Sequence, residues 1–142
     1  MDDMFQTADP LPPDSVYTAA IELGRLLRDY RGGNVVVMDL RKLNGWTDFF
    51  VIATVTSVAH LQGLEQHIKE FSREKGIAIL RQSPRPRAVS SRSYTEEWRI
   101  IDLGVMVIHL MTAQTRAFYE LERLLWSAAP IIFHEDPPPR PV

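Results

Sequence analysis

The run Trp98 to His109, WRIIDLGVMVIH, reads as two apolar strands turned on each other at Leu103-Gly104, with a carboxylate, Asp102, set between Ile101 and Leu103. An ionised carboxylate buried without a partner costs several kcal/mol, on the order of the penalty for a desolvated ion. Asp102 must therefore be paired. Trp98, Ile100 and Asp102 alternate along an extended strand and point to one face, which makes an aromatic, an aliphatic and an acidic side chain in a row. Such a strip suits recognition of a basic protein surface. The competing arrangement has Trp98 and Trp126 in the core and Asp102 satisfied by a backbone amide.

Around this hairpin the chain alternates helical and strand patterns. Val16, Ala20, Leu23, Leu27 and Tyr30 recur at helical spacing behind Asp14 or Ser15 as cap, and Gly32-Gly33 follow as a stop. Asn34 to Leu40 reads as a strand buried on both faces, and Asp48 to Val55 as a second after the turn at Asn44-Gly45. Ser57 opens a long helix with Leu61, Leu64, Ile68 and Phe71 as its stripe, ended by Gly76. Ile77 to Leu80 is expected as a third strand, before the fourth and fifth at 97–103 and 105–111. Thr115 to Trp126 is predicted as a last helix with Phe118, Leu121 and Leu125 on its core stripe. The expected architecture is α/β, with about three helices around a mixed five-stranded sheet.

Residues 1–13 and 134–142 are Pro-rich and read as tails, leaving 14–133 as one domain with a long loop at 81–97. The 142 residues are 45% hydrophobic, enough for one core. Sixteen basic against eighteen acidic side chains give a net charge of -2, which does not favour a protein that grips nucleic acid through a basic field. Any RNA contact would be local, through Arg81, Arg85, Arg87 and Arg92 of the loop. The absence of cysteine removes disulfides, thiolate catalysis and Cys-based zinc sites. The acidic, Pro-containing beginning does not read as a leader, and no stretch approaches the ~20 apolar residues of a membrane span. A cytoplasmic protein with no membrane partner is expected.

Nucleophile-elbow, Walker, dinucleotide-binding and HExxH patterns are all missing, so the sequence calls for no enzyme activity and no cofactor. His60 and His67, two helical turns apart, lie about 10 Å from each other along the axis and read as a solvated helix face rather than a metal pair. His109 reads as a sheet histidine hydrogen-bonded to a neighbour. Asp39 and Asp48 flank a turn without a third carboxylate nearby, so turn chemistry accounts for them better than magnesium does. On the last helix Tyr119, Glu122 and Trp126 form a second face beside the apolar stripe.

Taken in order, DFFVIATVTS (48–57), WRIIDLG (98–104), VIH (107–109) and RAFYELERLLW (116–126) resemble the ribosomal silencing factor, or Iojap, family. The resemblance covers most of residues 15–130. It implies a nucleotidyltransferase-like shape without the active site: the Gly-Ser and Asp-x-Asp motifs that hold two metal ions are not in this chain. It further implies a translational repressor that binds the large ribosomal subunit through its ribosomal protein fourteen, on the intersubunit face, blocks joining of the small subunit and lowers translation when nutrients are scarce. Trp98, Asp102, Tyr119 and Glu122 would form the partner-binding patch, with ribosomal RNA contact secondary and self-association into a homodimer left open. The alternatives are an RNA-binding or ribosome-assembly accessory protein that uses the Arg-bearing loop, and a divergent nucleotidyltransferase-like enzyme.

Overall fold

A computed structural model describes residues 13–43, 47–83, 97–120, 123 and 129–135. The first helix, α1 (Pro13–Asp29), buries Val16, Ala19, Ala20, Leu23 and Leu27, an apolar stripe along one face of the helix. It starts at Pro13, ahead of the expected caps Asp14 and Ser15, with a residue whose missing N–H costs a helix nothing there. Its end is a two-bond cap in which Gly32 N–H donates to Leu27 C=O at 2.6 Å and Arg31 N–H to Arg28 C=O at 2.9 Å. Arg31, not a glycine, holds the left-handed position, at φ 72°. Gly32 is needed for a different reason: a Cβ there would lie 2.8 Å from the Leu27 carbonyl oxygen. Arg31→Gly is therefore expected to stabilise the fold by about 1 kcal/mol, because a side chain in this backbone region costs 1–2 kcal/mol. A thermal midpoint that does not rise would show the strain already relieved.

Strand β1 (Gly33–Asp39) pairs antiparallel with β2 (Phe49–Val55), and α2 (Val58–Lys75) then crosses back over the sheet. Ser57 caps α2 as expected, its side chain accepting the His60 N–H at 3.0 Å, and Gly76 closes it at φ 71°. After α2 come β3 (Arg81–Gln82), β4 (Trp98–Asp102) and β5 (Met106–Thr112). The short helix α3 (Ala113–Tyr119) and β6 (Ile131–Glu135) follow. The sheet runs β3-β4-β5-β2-β1-β6, with β2 and β5 parallel and the other pairs antiparallel. The α/β class is as expected, but among the described residues the sheet has six strands rather than five.

Three differences have local causes. Ile77 to Leu80 is not a strand: the Ile77 N–H is spent on Ser72 C=O in the α2 cap, and bonding to β4 starts with the Leu80 N–H on Asp102 C=O at 2.8 Å, just ahead of the ladder at Arg81. Arg81 and Gln82 thus belong to the sheet rather than to the loop. The sixth strand takes in His134 and Glu135, which the sequence had assigned to the tail. Pro130 immediately before it suits the start of an edge strand, where a missing donor is tolerated, and its C=O accepts Asp39 N–H at 2.9 Å. Arg28 on α1 reaches Glu135 at 3.3 Å and lies over the Phe133 ring, holding the edge in place.

The core has two layers. Val35, Val37, Phe49, Val51, Ile101, Met106, Ile108 and Leu110 meet α1 and α2 on one face of the sheet. Val36, Met38, Phe50, Ile52, Val107 and Met111 form a second cluster on the other, with Trp98 and Ile100 packed at its margin. No helix among the described residues is long and apolar enough to cross a membrane.

Candidate docking surface

Strand β4 divides its side chains between these layers: Arg99 and Ile101 are buried under α2, while Trp98, Ile100 and Asp102 lie half-buried on the other face. The turn into β5 explains Asp102. Gly104 sits at φ 83°, where only a residue without Cβ is unstrained, and its N–H donates to Asp102 Oδ1 at 2.8 Å. The second oxygen faces Arg81 Nε at 3.9 Å, and the Asp102 side chain keeps 19% of its exposure. The carboxylate is thus satisfied by a backbone amide and still reaches the surface, four residues from the indole it was expected to accompany.

Trp98 is the centre of a run of rings. Its Nε1–H donates to His109 Nδ1 at 3.1 Å, and its ring lies 4.9 Å from that of Tyr119 on α3. Tyr119 in turn lies 4.8 Å from Phe118. Below, His109 meets the edge of Phe50 at 4.6 Å. The run rises from the sheet to the solvent: His109 is 5% exposed, Tyr119 51% and Phe118 74%. Phe118 was expected on the core stripe of a longer helix. Instead α3 turns left-handed at Glu120, φ 46°, and it is Thr115 and Arg116 that face inward. The helix also starts two residues before the expected Thr115, with Thr112 as its cap. Arg116 anchors it, donating to Thr54 Oγ1 at 2.9 Å and Gly33 C=O at 3.4 Å.

Burial alone pulls the His109 imidazole from its ordinary 6.5 down to about 4, so the ring is neutral near pH 7. With Nδ1 accepting from Trp98, the proton sits on Nε2. On the opposite face a charge cluster that sequence reading missed binds β4 to α2. Arg99 Nη1 donates to Glu65 Oε2 at 2.8 Å and Nη2 to Glu97 Oε2 at 3.0 Å, with the Arg99 and Glu65 side chains 5% and 3% exposed. Gln82 Nε2 adds a bond to the same Glu65 oxygen at 3.1 Å. Glu65 falls on the apolar stripe between Leu64 and Ile68, a position from which a buried partner could have been inferred.

Other candidates resolve differently. Arg81 is 86% exposed at its side chain; Arg85, Arg87, Arg92, Glu122 and Trp126 lie outside the described residues. His60 and His67 are not an idle solvated face. His60 Nδ1 accepts the Thr56 N–H at 3.1 Å while Nε2 meets Tyr30 C=O at 3.2 Å, and His67 stacks on the Tyr30 ring at 3.6 Å, so both fasten the end of α1 to α2. Asp39 is held by Arg41 through two side-chain bonds of 2.9 and 2.7 Å, which push its carboxyl below the usual range. Among the described residues no three His, Asp or Glu side chains converge as a metal site requires.

The fold and this surface define an open-sheet α/β domain with a ring-lined patch where β4 begins and β5 ends. Residues 13–141 match the family described as ribosomal silencing factor during starvation, and the chain belongs to that family. It is 36% identical over 106 residues to the ribosomal silencing factor RsfS of Treponema pallidum, covering 75% of this chain and 88% of that one. It is 31% identical over 99 residues to the mouse protein named mitochondrial assembly of ribosomal large subunit protein 1, covering 70% of this chain and 41% of that longer one. A crystal structure of a Chromobacterium violaceum protein shares the fold, with a TM-score of 0.62 at 24% identity over 80% of this chain and 86% of that one.

Proposed function

We propose that the chain is a translational repressor that docks on the large ribosomal subunit through ribosomal protein fourteen of its intersubunit face and keeps the small subunit from joining. The observation that carries this reading is the run of rings from half-buried Trp98 to exposed Tyr119 and Phe118, set in a domain of the ribosomal silencing factor family. Exposed rings fixed against one another are the usual anchors of a protein interface, since they bury large area at little cost in side-chain order. The name of the mouse relative, which refers to large-subunit assembly, supports the choice of subunit. Asp102, at the margin of the same face, would meet a Lys or Arg of the partner, and Glu122 would extend the rim. The action is steric. A globule of this length has a radius of gyration of roughly 14 Å, and a standard patch of about 800 Å² per partner would seat it, so no chemistry is needed. Its place of action would be the cytoplasm.

The test is sedimentation of ribosomal subunits with the purified protein. A shift from joined particles to free subunits is expected, and unaltered joined particles would overturn the reading. Tyr119→Ala, at an exposed position, should weaken binding to isolated large subunits about 30-fold, the roughly 2 kcal/mol of an interface anchor, without changing the melting midpoint. An RNA-binding accessory protein would instead show steep salt dependence and indifference to Tyr119.

A further inference from the structure

His109 stands in a row of side chains that crosses the sheet from Ile100 on β4, through His109 on β5 and Ile52 on β2, to Val36 on β1. The other three members are aliphatic. An apolar side chain of the same size would fill this place, and the histidine carries a liability there: its Nε2 is buried and has no hydrogen-bond partner among the described residues. A buried N–H left without an acceptor is destabilising. What the imidazole provides in return is the acceptor for the Trp98 indole N–H at 3.1 Å. That bond fixes the plane of the indole, and the indole supports Tyr119, which supports Phe118.

We propose that His109 is a positioning residue, which holds Trp98, and through it Tyr119, in the arrangement that meets the partner before the partner arrives. The inference rests on the docking reading above and adds to it a residue that itself touches no partner. Pre-ordering an anchor removes the entropy cost of fixing it at binding. The neutral ring is required, since a protonated imidazole has no acceptor to offer.

The test compares His109→Phe, which keeps the ring and removes the acceptor, with His109→Asn, whose side-chain oxygen can replace Nδ1. The indole N–H resonance of Trp98, assigned by its loss in Trp98→Phe, should move and exchange faster with solvent in H109F and return toward its original position in H109N. Binding to isolated large subunits should weaken about tenfold in H109F and recover in H109N, while the melting midpoint of H109F is held or raised. An unmoved indole resonance, or undiminished binding by H109F where Tyr119→Ala binds weakly, overturns the positioning role and leaves the docking reading standing. Undiminished binding by both variants overturns the two together. Should H109F fail to fold, His109→Leu and Trp98→Phe form a double-mutant cycle on the same contact, in which additive losses of affinity overturn the proposal.

Discussion

Arg99→Leu is expected to lower the stability of the domain by about 3–5 kcal/mol, the effect of stranding one member of a buried ion pair. For a domain of this size that is a fall of roughly 10–20 °C in melting midpoint. The reason lies in Glu65, 3% exposed and facing Arg99 at 2.8 Å, which without the guanidinium becomes an uncompensated charge under α2. The pair itself is a different matter. Taking both charges out of water costs about as much as their attraction returns, so Glu65→Leu with Arg99→Leu should regain most of the loss. Chemical denaturation of the two singles and the double decides this, and a single substitution that costs less than about 1 kcal/mol would show water reaching the cluster.

The second large effect concerns acid. His109 takes up a proton near pH 6.5 when the chain is unfolded but only near pH 4 when folded. Above pH 6.5 both states are neutral and the stability is whole. As pH falls from 6.5 toward 4 the unfolded chain binds a proton that the folded one refuses, so stability is lost, up to roughly 3 kcal/mol from this group. The rings that touch His109, Trp98 and Phe50, do not titrate in this range. The loss should therefore be absent from H109F, so that the difference in unfolding free energy between the variant and the parent grows as pH drops from 6.5. A difference that stays flat with pH would mean that the folded ring protonates freely.

What could be read from the sequence is what local periodicity encodes. The α2 stripe, the Val16, Ala20, Leu23 and Leu27 stripe of α1, the Ser57 cap, the Gly76 stop and the hairpin around Gly104 all depend on neighbours within a few residues and are found where expected, whereas Tyr30, expected on the α1 stripe, lies past the helix end and is exposed. A sheet histidine bonded to a neighbour was also legible at position 109, though not that its partner is Trp98. Non-local pairing was not. Ile131 to Phe133 are good strand formers, but between prolines they become a strand only because β1 offers an edge. Phe118 was misassigned for a related reason: its helical stripe presumes that the helix continues unbroken, and the turn at Glu120 ends it first. The Arg99 and Glu65 cluster joins residues from a strand and a helix that no spacing rule connects.

The last strand has a consequence for how the molecule is made. Asn34 and His134, which meet across the β1–β6 boundary, are 100 residues apart in the chain. During synthesis the flank of β1 must therefore wait, bare and able to pair with any extended segment, until the roughly 100 residues between it and β6 have been translated. Chains halted before Ile131 should carry that open flank and stick to one another, whereas chains extended through Glu135 seal it with β6.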